Sequence, residues 1–172
     1  MGQIACDYNV VGRIWITQGI AMLIHELTAA QCQEVLGRTS LGRLACARDD
    51  QPYIVPIFFY FDITEESLYS FSTVGQKIAW MRGNPKVCVA VDEISDQFHW
   101  TTVVVFGRYE EIRDSKQESD ARSRAHELFQ QRPEWWLPGA GKLSTGEEHH
   151  MPVIYRIRVD RMSGRRPNLG PL

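Results

Sequence analysis

The spacing of apolar residues along the chain switches between a helical and an extended period, and these switches lay out the elements. Residues 1–24 show no clean period, so residues 1–26 read as an N-terminal extension. Thr28, followed three residues later by Gln31, forms a capping box that starts a helix at Ala29. This helix runs to about Leu36, where Gly37 can stop it. The pattern then becomes extended. Residues 41–47 and 53–61 read as strands around a polar turn at 48–52, and residues 68–71 as a third strand after the turn 62–67. A short helix over about 76–82 opens at Gly75 and must end at Asn84-Pro85. Residues 87–91 and 101–112 give two more strands, the second with Gly107 inside it. Ser115 with Glu118 makes a second capping box, for a helix reaching about Gln131. A loop rich in Pro, Gly and Trp covers 132–150, residues 153–162 form the last strand, and the tail 166–172 is expected to fray.

Six strands joined mostly by hairpins, with three helices between them, predict a mainly β fold. The expected architecture is a six-stranded antiparallel barrel with short peripheral helices, forming one domain over residues 27–165. A length of 172 residues with 44% apolar and 23% charged content suits such a globular domain. The net charge of -2 offers no global attraction to nucleic acid or to an anionic membrane, so neither is expected as a partner. The longest apolar stretches, such as 53–61, are too short to span a bilayer, and Asp7 and Arg13 break up any signal-peptide core. A cytoplasmic location is the expectation. Cys6, Cys32, Cys46 and Cys88 are widely separated and read as small hydrophobes of a reducing compartment, not as a zinc site. His25, His99, His126 and the pair His149-His150 have no metal-ligand spacing, and no catalytic triad or carboxylate pair can be picked out.

Three segments carry candidate chemistry. The first is the strand over 53–61, whose lack of alternation requires cover on both faces. Pro56 in its middle removes a ladder donor, which is tolerated at an edge or a bulge. A barrel opening here would free backbone groups of Val55, Ile57 and Phe58 to meet a flat heterocycle; the alternative is a core strand with an incidental bulge. The second is Phe71-Ser72-Thr73-Val74-Gly75-Gln76-Lys77, which joins two hydroxyls, a helix N-terminus and a cation in the first helical turn. That combination suits a phosphate, although it is not a Walker loop, and a plain N-cap with a solvated lysine is its bland alternative. Third, Trp100 near Thr102 fits either a core or interface position or a stacking wall. Trp135-Trp136 calls for a groove or a neighbouring subunit to shelter it. In the last strand, Arg156 and Arg158 alternate with apolar residues and give one basic face, solvated or turned toward an anion.

The order of these features resembles the pyridoxamine 5′-phosphate oxidase-like flavin-binding split barrels. The match runs from Val55-Pro56 through the hairpin into Phe71-Ser72-Thr73, then Lys77, Asn84-Pro85-Lys86-Val87 and Trp100-x-x-Val103-Val104-Val105-x-Gly107. It covers about 27–113 and is most like the nitroimidazole-resistance and flavin-nucleotide-binding branch. The resemblance implies a split barrel, a homodimer, and FMN bound in clefts between the subunits. It places the backbone of Val55, Pro56, Ile57 and Phe58 against the flavin ring. Ser72, Thr73, Gln76 and Lys77 would hold the phosphate, and Trp100 and Thr102 would complete the site, in one arrangement from the partner subunit. Gln76 stands where pyridoxamine-phosphate oxidases usually carry a cation, which implies a weaker hold on phosphate. The C-terminus lacks the Arg-containing substrate motif of the vitamin-B6 oxidases, so oxidation of pyridoxamine phosphate is not expected.

The leading functional expectation is therefore an FMN-dependent oxidoreductase that reduces a small electrophile such as a nitro compound or a quinone. The alternatives are a flavin carrier or sensor without turnover, and a split barrel that uses deazaflavin or haem.

Overall fold

The computed structural model describes residues 15–17, 20–131 and 152–171, with side chains described over 23–131 and 152–168. Cys6, the paired tryptophans and His149-His150 lie outside the described residues. In chain order the elements are β1 (Trp15–Thr17), β2 (Ile20–Glu26), α1 (Ala29–Arg38), β3 (Leu41–Arg48) and β4 (Gln51–Phe58). They continue with β5 (Tyr60–Asp62), β6 (Ser67–Ser72), α2 (Gln76–Gly83), β7 (Lys86–Ile94) and β8 (Trp100–Ile112). A 3-10 turn (Lys116–Glu118), α3 (Ser119–Gln130) and β9 (Val153–Pro171) complete the set.

One antiparallel sheet runs in the order β4–β3–β7–β8–β9, and the second edge of β9 is shared by β6 at 153–158 and β2 at 165–171. The curled sheet does not close, because β4 and β6 meet without pairing. This is the split barrel that the resemblance implies, built from nine strands among the described residues in place of the expected six. Its interior is filled by inward residues such as Leu44, Val89, Val91, Val103, Val105 and Ile157. Cys32, Val35 and Leu36 of α1 and Ile78 and Met81 of α2 are buried in the same core. Helix α3 covers the outside of β5, β6 and β9, packing Ala125, Leu128 and Phe129 on Tyr60, Tyr69, Ile112 and Ile154. Among the described residues no helix is long and apolar enough to cross a membrane.

Local chemistry explains where the elements begin and end. The Thr28 capping box forms, with Gln31 N–H donating to Thr28 Oγ1 at 3.3 Å and Thr28 N–H to Gln31 Oε1 at 2.9 Å. Gly37 does not stop α1, which ends one residue later, where Thr39 Oγ1 donates to Val35 O. The second capping box does not form. Ser115 makes no side-chain cap, and Glu118 accepts the Arg113 N–H instead. Helix α3 is held by Arg124, whose Nε donates to Asp62 Oδ2 at 2.5 Å. Burial alone would raise the pKa of Asp62, but Arg124 and the N–H groups of Thr64 and Glu65 hold it below the usual carboxylate value.

Three further expectations need correction. The strand over 53–61 is two strands, because Phe59 turns inward, fully buried, and donates its N–H to Ser40 O at 2.9 Å. The chain there leaves β3 and begins to pair with β6. The tail does not fray, since β9 continues to Pro171. The loosely attached N-terminal extension is likewise replaced at 20–26 by β2, which pairs with 165–171.

Between Phe106 and Gly107 the ladder of β8 and β9 shifts register. A Cβ on Gly107 would lie 2.3 Å from Arg158 O, a backbone atom that cannot swing aside. Gly107→Ala should therefore lower stability by about 1–3 kcal/mol, the range for overpacking. Gly37→Ala, in open space on a helix, should be neutral or stabilising by up to about 1 kcal/mol. Urea unfolding of the two variants checks the contrast, and equal stability would refute it.

Candidate functional site

The seam between β4 and β6 is shaped by two prolines. In an antiparallel ladder, alternate residues direct their N–H and C=O groups to the partner strand and the others direct theirs away. Pro52 and Pro56 stand opposite Ala47 and Arg43, and neither can donate. Tyr53, Val55 and Ile57 therefore bond β3, while Ile54, Pro56 and Phe58 turn their backbone groups toward the seam. Ser70 Oγ, across the seam, donates to Phe58 O at 2.6 Å, as this parity requires. No bulge occurs at Pro56, since every residue of β4 has a partner on β3 in unbroken register. The expectation that Val55 and Ile57 offer free backbone groups is thus corrected: Pro56 and Phe58 are the residues whose backbone faces the seam. Two prolines four residues apart share one parity, and that signal was present in the sequence.

Beyond the Ser70 bond the seam opens into a cleft of about 100 Å³. Leu41, Pro56, Ile57, Phe58, Phe71, Ser72, Thr73 and Lys77 line it. Two predicted segments, at 56–58 and 72–77, are thereby brought face to face. Val55 lies behind the cleft in the β3 ladder, and Gln76 is exposed at the start of α2. Leu41 and Phe71 were not anticipated, because only the register places them beside the prolines.

Trp100 and Thr102 do not enter this cleft. They begin β8, which is separated from β4 by β7 and β3. A polar chain nevertheless runs along the outer face of the sheet. Thr102 Oγ1 donates to Asp92 Oδ1 at 3.0 Å, Asp92 pairs with Arg43, and Arg43 stands opposite Pro56.

Lys77 gives the cleft its charge. It is half-buried and has no ion-pair partner among the described residues. Burial pushes its pKa below the ordinary lysine value, and the nearby Cys46 thiol draws it partly back. Helix α2 adds an uncapped N-terminus: Gly75 supplies no side-chain cap, and the first turn holds no acidic residue. Ala79 is the first residue whose N–H reaches back into the helix, to Gly75 O. The N–H groups before it are available to an anion. The Thr73 hydroxyl has no partner among the described residues, whereas Ser72 Oγ donates to Thr73 O at 3.0 Å and would have to turn to serve a ligand.

A larger cavity of about 610 Å³ lies elsewhere, between α2, β8 and α3. Most of its charges satisfy one another. Arg82 is bidentate to Glu111 at 2.8 Å, Tyr109 donates to Glu111, and Arg156 bonds Glu110. The basic face foreseen for Arg156 is spent on these carboxylates. His99 is likewise satisfied by Asp96, and the described residues hold no cluster able to bind a metal ion.

The unclosed sheet and its seam define a split-barrel protein, and residues 28–166 match the pyridoxamine 5′-phosphate oxidase family model. The chain belongs to that family. It is 38% identical over 156 residues to the uncharacterized protein RA0666 of Rhizobium meliloti, covering 88% of this chain and 100% of that one. The crystal structure of an FAD-binding protein from Mesorhizobium loti is also 38% identical, with a TM-score of 0.69 over 86% of this chain and 98% of that one. A Bacteroides thetaiotaomicron protein named for 5-nitroimidazole antibiotic resistance shares the fold at 15% identity, with a TM-score of 0.60 over 95% of this chain and 98% of that one.

The lowered pKa of Lys77 makes a prediction with a definite sign. The unfolded chain binds the lysine proton more tightly, so stability without ligand should rise as pH climbs through the folded-state pKa toward the unfolded value. Lys77→Met should raise the thermal midpoint at neutral pH and abolish this alkaline gain. Thermal unfolding of both proteins across neutral to alkaline pH tests it, and a less stable Lys77→Met would count against an uncompensated charge.

Proposed function

We propose that this chain is a flavoprotein that holds the flavin phosphate at Lys77 and the ring against the seam edge at Pro56 and Phe58. The observation that carries the reading is the half-buried Lys77 with no carboxylate partner among the described residues, beside an uncapped helix N-terminus. A phosphate would supply the missing charge and accept the vacant N–H and hydroxyl donors. The apolar end of the cleft, at Leu41, Ile57 and Phe71, suits the flat face of a heterocycle. The flavin would supply hydride chemistry, and the chain's part is to hold the phosphate, orient the ring and exclude water. Reduction of a small electrophile, a nitro compound or a quinone, is the activity proposed, in the cytoplasm. A carrier without turnover differs from it in failing to pass electrons from a reduced nicotinamide to such an acceptor.

FMN is the flavin proposed. A second reading, FAD, is favoured by the Mesorhizobium loti relative, which is named as FAD-binding. Lys77 would serve the first phosphate of either molecule. Mass determination of the molecule released from purified protein separates the two. Lys77→Ala should weaken FMN binding by about 1.5–3 kcal/mol, the range of a charge-assisted hydrogen bond, and leave riboflavin nearly unaffected. Equal losses for the two flavins would remove Lys77 from the phosphate site.

The second part of the proposal is a homodimer. A cleft of about 100 Å³ is well short of the roughly 300–1,000 Å³ of a small-molecule site, so another wall is needed. The outer face of the sheet is open and carries exposed apolar residues around the Arg43–Asp92–Thr102 chain, with Leu41 57%, Ile54 65% and Ile94 72% exposed. A second copy docked there would cover it and bring its own Trp100 and Thr102 to the cleft. Sedimentation at micromolar concentration should show a dimer. A monomer that binds flavin at full affinity would overturn the shared site.

A further inference from the structure

Ser70 lies in the middle of β6, inside the barrel and 2% exposed. On one side of its bond to Phe58 O, the short connection through Phe59 and β5 holds β4 and β6 together. On the other side the strands part around the cleft. The bond thus stands where the seam begins to open. Directly opposite Ser70 on β9 is Tyr155, fully buried, whose hydroxyl forms no standard hydrogen bond among the described residues but lies close enough to Ser70 to interact with it. Such a group in a core calls for an explanation. Ser70 Oγ spends its proton on Phe58 and keeps its lone pairs, so it is an acceptor within the same cross-strand pair. A donor behind it would polarise the seam bond and strengthen it.

We propose that Ser70 is a positioning residue of the flavin site. Its hydroxyl fixes the peptide between Phe58 and Phe59 and so sets the width of the seam at the ring end, with the Tyr155 hydroxyl as the donor behind it. The inference rests on the flavin reading of this cleft. It differs from the role of Lys77 in a measurable way, because Lys77 acts on the phosphate and Ser70 acts on the ring.

The test titrates wild type, Ser70→Ala, Ser70→Cys, Ser70→Thr and Tyr155→Phe with FMN and with riboflavin. Absorbance of the bound flavin and thermal stability without ligand are recorded for each. Ser70→Ala should weaken both flavins alike, by about tenfold, as for one lost hydrogen bond, and shift the long-wavelength flavin band. Ser70→Thr, which keeps the hydroxyl, should retain the wild-type spectrum. Tyr155→Phe should shift the band in the same direction by less, without loss of stability. A folded Ser70→Ala with wild-type affinity and spectrum overturns the proposal, whatever its thermal midpoint. If neither the Ala nor the Cys variant folds, the hydroxyl serves folding alone and the proposal is equally overturned. Wild type that binds neither flavin overturns the flavin reading itself, and is told apart by needing no variant to reveal it.

Discussion

A sheet that cannot complete its last ladder is the constraint on which the rest of this structure depends. Strand β4 ends the sheet with two prolines on the parity that faces β6, so this edge lacks two of the donors that a closing ladder would use. Closure is left to a side chain, Ser70, and to the short connection through Phe59. An open edge of this kind invites pairing with another chain, and prolines are one of the usual protections. Here the same two residues that protect the edge also keep a slot open beside it. The cleft is what remains when a barrel is prevented from closing by its own backbone chemistry.

The slot and the outer face of the sheet are physically continuous. Register aligns Pro56, Arg43, Ala90 and Val104 in one row across four strands, and Ile54, Ala45, Cys88 and Phe106 in the next. These residues point away from the core and leave mostly apolar side chains toward solvent, stitched by the Arg43–Asp92–Thr102 chain. An exposed face of this composition meets the need of the proposed second copy. It also explains why Trp100 and Thr102, so far from Pro56 within one chain, belong to the same surface as the cleft. Their separation along the sheet is the distance a partner would have to bridge.

Much of this was legible in the sequence, for identifiable reasons. The Thr28 box, the Asn84-Pro85 stop and the extended runs of β3, β7 and β8 are local signals, and they gave the elements, while the split of the barrel followed from the family resemblance. The cleft was legible as two segments, around Pro56 and around Lys77, because proline and a capless helix start announce themselves locally. What failed depended on long-range register. The free parity of β4 was misassigned because a bulge was expected where the ladder is regular. Asp49 and Asp50, with φ of 50° and 61°, fix that ladder through a two-residue turn of the primed type. The length of β9 was missed because residues 165–171 pair with β2, a neighbour the sequence did not place there. The Ser115 box failed to Arg113, whose N–H captured Glu118. Ser70 looked like any polar residue in a strand until the seam gave its hydroxyl a partner.

The buried polar groups around the cleft follow one logic. Elsewhere the structure satisfies what it buries: Asp62 has Arg124 and two backbone donors, and Tyr69 donates to Glu65 at 2.5 Å. At the cleft it does not. Among the described residues Lys77 has no counter-charge, and Tyr155, its pKa pushed up to about 12 by burial, has Ser70 within reach but forms no standard hydrogen bond. Cys46 lies within electrostatic reach of both. A chain selected for stability alone would replace an unpaired lysine with methionine and an unpartnered tyrosine with phenylalanine. Local rules are most often broken where a site must meet something the folded chain does not itself supply. The two exceptions here lie near one seam, Lys77 in the cleft itself and Tyr155 behind the Ser70 bond at which the seam begins to open. That placement, more than the size of any cavity, is why the small seam and not the larger, self-neutralised cavity is read as the functional site.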